Sequence, residues 1–215
     1  MKKISLLLIG FVAAVTLVFV VGSHIATAGA ADRDSLESVV PAGNYNCSDG
    51  WRITGYYTPV ETDYTSTEVT EIVVARSGKM SFNNDFLRAV FDDDKGYGEG
   101  WGKTRFGWYL GNYNGRWHKA DAPLDANDKP LEANTVAVDT GLIPAGSTVN
   151  IPELPGDLGK LEFRSNDVGV SVHGKHVDVY TGEGREARRR MYRFTYEEED
   201  KGLQRVCFSP PKSNH

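Results

Sequence analysis

The feature that most restricts the fold of this chain is its succession of short β-branched and aromatic segments, each ended by glycine, proline or a polar turn. The 215-residue sequence contains 23 glycines and 9 prolines, and 40% of its residues are hydrophobic. This hydrophobic content is sufficient for a core, whereas the frequent turns leave little room for long helices. The pattern predicts a mainly β fold, a small closed β-barrel with one or two short helices.

Individual elements follow from the same pattern. The first strand is predicted over residues 51–58 and ends at Pro59. Further strands are predicted over residues 68–75, 104–110, 116–118, 135–139, 148–151, 160–165, 170–172, 176–180, 193–196 and 203–208. A short amphipathic helix is predicted over residues 81–91, with Asn83, Asn84 or Asp85 as its cap, and another over residues 184–192.

Three aspartates occupy unusual positions in the second half of the chain. Asp139 and Asp178 each interrupt a run of apolar and β-branched residues, and Asp167 begins a turn-like Asp-Val-Gly. A bare carboxylate inside an apolar strand costs several kcal/mol unless it is hydrogen-bonded or protonated. The spacing of Asp167 and Asp178 fits two adjacent strands whose carboxylates face one cleft, where a tuned acid is expected. The alternative is that each aspartate caps a turn.

Several motifs carry a resemblance to a known family. Residues 136–180 resemble the 3D domain, named for its three aspartates, which is similar to the catalytic barrel of the membrane-bound lytic transglycosylase A family. Residues 54–59 (Thr-Gly-Tyr-Tyr-Thr-Pro) are similar to that family's opening motif, and residues 177–187 to its Val-Asp-Tyr-Phe segment and the following helix. One departure is that Val168 and Val170 stand where the family has threonine and glycine.

The resemblance implies a double-psi β-barrel that cleaves the β-1,4 bond after N-acetylmuramic acid in peptidoglycan without water, leaving a 1,6-anhydro sugar. It implies that Asp178 is the catalytic acid and base, with Asp167 and Asp139 as the other two members of the site. The substrate-binding residues that we predict with it are Tyr56, Tyr57, Thr58, Thr104 and Trp108. For the aromatic members of this set, and for Trp101, core packing is the alternative.

Simple electrostatics is consistent with this assignment. Burial of Asp178 between Val177 and Val179, with the negative charge of Asp167 nearby, would raise its pKa and keep it protonated near neutral pH. One carboxyl group could then protonate the leaving oxygen and take the proton of the sugar's own 6-hydroxyl. Two alternatives stay open: a β-1,4-glycan hydrolase with paired aspartates, and a non-catalytic, expansin-like module that binds or loosens the wall.

The N-terminus predicts export. Lys2 and Lys3 precede an almost wholly apolar stretch, residues 4–22, and small residues follow it. Residues 1–30 are therefore expected to be a cleaved signal peptide or an uncleaved membrane anchor, residues 31–50 a lead-in, and residues 51–215 a single barrel domain in the periplasm or cell wall. In such an oxidising compartment, Cys47 and Cys207 are expected to form a disulfide.

Other classes of function are disfavoured. The formal charge of −5 argues against nucleic acid as a partner. Residues 98–104 end like a phosphate-binding loop, but Tyr97 stands where its first glycine belongs, so no nucleotide is expected. The run at 92–94 lacks the spacing of a calcium loop, and His173 and His176 lack further ligands at matching spacing. We therefore predict no metal and no cofactor.

Overall fold

The computed structural model describes residues 45–196 and 200–211, so the predicted signal or anchor segment and most of the predicted lead-in lie outside the described residues. In chain order the elements are β1 (Asn46–Thr58), β2 (Val69–Val74), β3 (Gly78–Asn83), α1 (Asn84–Val90), β4 (Trp101–Lys103), β5 (Tyr109–Tyr113), β6 (Arg116–Ala120), β7 (Thr135–Val138), β8 (Thr148–Asn150), β9 (Phe163–Asp167), β10 (His176–Glu183), α2 (Gly184–Met191) and β11 (Gln204–Ser209). Within these residues, we find no helix with the length and hydropathy of a transmembrane span.

Six strands form a closed barrel in the order β1-β10-β7-β9-β8-β11. The pairs β1–β10 and β7–β9 are parallel, and the other neighbours are antiparallel. Alternate residues point into the barrel, where Ile53, Val136, Val177, Val179 and Phe163 belong to one buried core. The predicted mainly β barrel with short helices is confirmed.

The disulfide prediction is also confirmed. Cys47 of β1 and Cys207 of β11 are directly paired in the antiparallel ladder and form a disulfide. The bond links the first and last strands of the barrel, which are separated by 160 residues in the sequence. Strand β1 begins at Asn46 rather than at the predicted Trp51, and the ladder with β11 explains the additional length.

A second, five-stranded sheet is inserted in the sequence between β1 and β7. Its order is β3-β2-β6-β5-β4, and α1 packs against it over a separate core that contains Val74, Phe82, Phe86 and Leu110. The sequence analysis assigned all strands to one barrel and did not predict this sheet. The two sheets are nonetheless in contact, because the backbone N–H of Lys103 in β4 donates to the carbonyl of Pro59, directly after β1.

Several predicted elements differ in the structure, and the strand predicted over residues 104–110 begins only at Tyr109. Residues 81–91 divide into the end of β3 and helix α1, and Asn83 caps the helix by accepting the N–H of Phe86 at 3.1 Å. Residues 170–172 form a turn, closed by the Val172 N–H bond to the Gly169 carbonyl, instead of a strand. Residues 193–196 continue as a turn after α2, where Phe194 enters the barrel core.

Candidate active site

A row of four in-register residues crosses the outer face of the barrel. Asp178 of β10 is paired with Thr54 of β1 on one side and with Ala137 of β7 on the other. Ala137 is in turn paired with Asp167 of β9. Side chains of paired residues lie on the same face of a sheet. Their sequence neighbours Ile53, Val177 and Val179 point into the barrel core, so the row itself lies on the outer face.

The two aspartates therefore lie on one face of the sheet, as predicted, but the prediction that their strands are adjacent is wrong. Strand β7 lies between them, which separates their Cα atoms by two strand spacings, roughly 10 Å. The small side chain of Ala137 fills little of the space between the carboxylates.

Three members of this row, Ala137, Asp167 and Asp178, form the floor of a cleft of about 260 Å³ between the barrel and the second sheet. The barrel side contributes Tyr56, Ala137, Asp167, Asp178 and the loop 168–172. The other wall consists of Phe91, the segment 97–101, Asn112, Tyr113, Leu124 and Leu131. Among these lining residues there is no lysine, arginine or histidine, while three are carboxylic acids: Asp167, Asp178 and Glu99.

Asp178 is a carboxyl group whose surroundings raise its pKa. Its burial in the cleft raises its pKa to about 6, well above the usual 3.8. The hydrogen bond from the Thr54 hydroxyl to Oδ1, at 2.8 Å, works in the opposite direction and lowers the pKa, whereas the charge of Asp167 raises it further. Asp178 thus changes its protonation state close to neutral pH.

The Thr54 hydroxyl also connects Asp178 to His176. Thr54 Oγ1 lies 2.8 Å from His176 Nε2, and His176 Nδ1 lies 3.2 Å from the carbonyl oxygen of Ser171. Since a carbonyl only accepts, Nδ1 carries a proton. Thr54 has one proton for two partners, so it donates to Asp178 when that group is ionised and can turn to His176 when Asp178 is protonated.

Asp167 is held as a hydrogen-bond acceptor. It receives the hydroxyl of Tyr56 at 2.7 Å and the backbone N–H of Val168 at 2.9 Å. Burial raises the pKa of Asp167, and these hydrogen bonds lower it. These contacts donate to the carboxylate and stabilise its negative charge, but burial outweighs them and the pKa of Asp167 stays above its usual value.

Asp139 is not brought into the cleft with the other two aspartates. Its carboxylate accepts the backbone N–H groups of Gly174 at 2.8 Å and Gly141 at 2.9 Å, and these two bonds lower its pKa. It closes the turn after β7 and joins that turn to the end of the loop that contains Val168 and Val170. This geometry is that of a structural carboxylate, and its predicted catalytic role stays a prediction.

Of the five predicted substrate-binding residues, only Tyr56 lines the cleft. The Tyr57 side chain is buried against α2, and the Thr58 hydroxyl is 2.8 Å from the hydroxyl of Tyr180. Thr104 donates to the carbonyl of Trp108 at 2.8 Å, and the Trp108 ring packs against the core of the second sheet. Substrate binding by these four residues stays a prediction.

The sequence analysis missed Glu99, Thr54 and His176 as parts of the site. Burial raises the pKa of Glu99 to about 8, and the charge of Asp178 contributes to the rise. Glu99 lies in a Gly-Glu-Gly sequence that was considered only as part of a phosphate-binding loop. The sequence signal for Glu99 was a single acidic residue between two glycines, directly before strand β4.

His176 was considered from the sequence only as a possible metal ligand. No metal-binding group of three or more acidic, histidine or cysteine side chains occurs in the described residues.

Residues 134–193, which contain all three aspartates, match the family described as the 3D domain. The chain carries a 3D domain. Its structure is similar to that of Escherichia coli MltA with bound chitohexaose, with a TM-score of 0.50 and 17% identity over 75% of this chain and 72% of that chain. At this identity, the likeness establishes a shared fold.

Two further solved structures are similar to this 3D-domain protein. The membrane-bound lytic murein transglycosylase from Agrobacterium tumefaciens has a TM-score of 0.47 and 12% identity, over 82% of this chain and 83% of that chain. MltA from Neisseria gonorrhoeae has a TM-score of 0.43 and 14% identity, over 80% and 74%. No curated protein sequence matches the chain.

Proposed function

We propose that this protein is a lytic transglycosylase that cleaves the β-1,4 bond between N-acetylmuramic acid and N-acetylglucosamine in peptidoglycan. The observation that carries the proposal is Asp178, a buried carboxyl group with a pKa of about 6 on the floor of a cleft. The names of the similar structures support it, since they include lytic transglycosylases and one with a bound N-acetylated glycan.

The reaction requires one acid and no water. Protonated Asp178 gives its proton to the glycosidic oxygen, and the bond between that oxygen and C1 of muramic acid breaks. The 6-hydroxyl of the same sugar then attacks C1, forming the 1,6-anhydro bond, and its proton returns to Asp178. The carboxyl group ends in its starting state, so one turnover consumes no external proton.

The neighbours of Asp178 have distinct roles in this mechanism. When Asp178 has given up its proton, the Thr54 hydroxyl donates to the new carboxylate and stabilises it. The negative charge of Asp167, oriented by Tyr56, favours the protonated state of Asp178 before the reaction and the positive charge that develops on the sugar ring during it.

Digestion of purified peptidoglycan followed by mass spectrometry of the fragments tests this proposal. The wild-type protein is expected to release anhydro-muropeptides, and Asp178→Asn to release none while keeping its fold. Asp93→Asn, an exposed position outside the cleft, is the control and should be as active as wild type. Full activity of Asp178→Asn would contradict the assignment of the acid.

The products also separate the two alternatives. Reducing ends that carry an added water indicate a hydrolase that uses Asp167 and Asp178 in separate roles. Binding to the wall without bond cleavage, unchanged in Asp178→Asn, indicates an expansin-like module. The predicted signal or anchor segment is expected to bring the protein to the compartment that contains peptidoglycan, as a periplasmic or wall-associated enzyme.

A further inference from the structure

Glu99 is held rigidly on the wall of the cleft opposite the aspartates. Its own N–H and that of Gly100 donate to the carbonyls of Ala89 and Val90 at the end of α1, both at 3.0 Å. A Cβ atom at Gly98 would come within 2.5 Å of the Val90 carbonyl oxygen, so only glycine fits there. The backbone at this point is therefore fixed by α1, and the Glu99 side chain is directed into the cleft with little freedom.

One oxygen of this carboxyl group is already used. Oε2 accepts the backbone N–H of Tyr57 at 3.0 Å, at a point of β1 beyond Trp51, the last β1 residue that pairs with β11. Among the described residues, that N–H is the one hydrogen-bond partner of the Glu99 carboxyl group. Glu99 and Trp101 both line the cleft.

We propose that Glu99 is a specificity-determining residue of the cleft: as a neutral carboxyl group it donates a hydrogen bond to the acetamido carbonyl of a bound N-acetylated sugar. This inference rests on the proposed function, because it assigns a substrate contact to the same cleft.

The chemistry favours a carbonyl as the partner. A neutral carboxyl differs from a carboxylate in offering an O–H donor. Sugar hydroxyls can donate or accept and would be satisfied by either form, whereas an amide carbonyl only accepts. The acetamido group also carries a methyl group, for which the neighbouring Trp101 ring offers an apolar surface. A site built this way discriminates against glycans that lack the amide.

The charges around Glu99 support a neutral state. Asp178 on β10 raises its pKa, and Arg188 on α2 and the Tyr57 N–H lower it, but burial has the largest effect and brings the value to about 8. Tyr57 and Tyr64, the other titratable groups that interact with Glu99, have raised pKa values and stay neutral below pH 9. Replacing Asp178 removes one of these contributions, so the pKa of Glu99 in that variant lies below this value but stays raised by burial.

The test is binding of two neutral oligosaccharides, chitohexaose and cellohexaose, which differ in the acetamido groups. It uses full-length protein with Asp178→Asn, so that no turnover occurs, and calorimetry at pH 6.5. Two further variants are compared in this background. Glu99→Gln keeps an acceptor for the Tyr57 N–H and a donor for the ligand, whereas Glu99→Met has a similar volume and neither group.

We expect the preference for chitohexaose over cellohexaose to be kept in Glu99→Gln and to fall about tenfold or more in Glu99→Met, as one lost hydrogen bond implies. With Glu99 present, the preference should also decline as pH rises towards 8, and Glu99→Gln should show no such decline. A structural role alone would weaken both ligands equally in Glu99→Met, and that result would overturn the proposal.

Two other outcomes are informative. Loss of the preference in Glu99→Gln, or the absence of any preference in the parent, would also overturn the proposal. If the expected pattern is found but purified peptidoglycan yields no anhydro ends, the contact by Glu99 stands and the proposed reaction fails. The two proposals can therefore be rejected separately.

Discussion

At the level of single residues, the hydroxyl of Thr54 affects the pKa of the proposed catalytic acid, Asp178. It is in contact with both the acid of the site and a buried histidine, and its hydrogen bond lowers the pKa of Asp178. The proposed acid therefore has a strength set by two opposing effects, burial and this hydrogen bond. Replacing the Thr54 hydroxyl should therefore change the pKa of Asp178 while the carboxyl group itself is kept.

Replacing Thr54 by valine should raise the pKa of Asp178 above its value of about 6, because the hydrogen bond that stabilises the carboxylate is lost. Activity, which needs protonated Asp178, falls in the wild type as pH rises through about 6, and this limb should move to higher pH in Thr54→Val. A weaker acid also donates less readily, so kcat should fall by about 10- to 100-fold. Thr54→Ser should retain both the rate and the profile. An unshifted profile in Thr54→Val would contradict this account.

Asp178 should also destabilise the folded protein at neutral pH. Its pKa is raised from 3.8 when unfolded to about 6 when folded, so stability is lost as pH rises between these values. The rise corresponds to at most about 3 kcal/mol. Asp178→Asn should therefore unfold at higher denaturant concentration than wild type at pH 7, with little difference near pH 4. Equal midpoints at pH 7 would show that the charged form is better accommodated than burial implies.

At the scale of secondary-structure elements, the sequence predicts the barrel strands better than the rest of the fold. Strands β7 and β10 are rich in valine and bounded by turns, so local pattern alone places them. Residues 170–172 are also rich in β-branched residues, but they lie in a loop whose end is held by a hydrogen bond from the Gly174 N–H to the Asp139 carboxylate. That hydrogen bond joins residues far apart in sequence, and no local pattern reveals it.

The second sheet and the wall of the cleft could not be predicted for a related reason. Whether β5 and β6 join the barrel or another sheet is decided by long-range pairing, such as the contact of Val74 with Trp117. The raised pKa of Glu99 comes mainly from its burial in the folded protein, where its carboxyl group accepts the Tyr57 N–H from a distant part of the sequence. The resemblance to the 3D domain does supply Asp167 and Asp178, since they lie in motifs of contiguous sequence.

The segment after α1 provides a prediction at this scale. Gly98→Ala would place a Cβ atom against the backbone of Val90, which cannot move without disturbing α1. We expect a loss of roughly 1–3 kcal/mol in unfolding free energy and weaker binding of chitohexaose, because Glu99 is displaced from the cleft wall. Asp93→Ala, on the same connection but exposed, is the control. Wild-type binding by a folded Gly98→Ala protein would show that the position of Glu99 is unimportant.

At the scale of the whole molecule, the cleft belongs to neither sheet alone. Its floor is the outer face of the barrel and its opposite wall is the inserted sheet, so a ligand would contact segments that are far apart in sequence. The second sheet therefore forms part of the candidate site, because its residues line the cleft.

This organisation predicts how ligand binding changes hydrogen exchange. In the Asp178→Asn protein, chitohexaose should slow amide exchange in two places at once, the loop 168–172 and the segment 97–101. The β2–β3 hairpin does not line the cleft and should exchange at an unchanged rate. Protection confined to the barrel would mean that the inserted sheet takes no part in binding.

The pairing of β1 with β10 and β11 has a consequence for how the chain acquires its structure. The first strand of the barrel finds its partners only near the other end of the sequence, and the disulfide spans the same interval. Such a topology has a high contact order, so folding should be slow compared with that of helical proteins of similar length. All five strands of the inserted sheet are synthesised before β7, but the chain cannot close the barrel or complete the cleft until its last strand has left the ribosome.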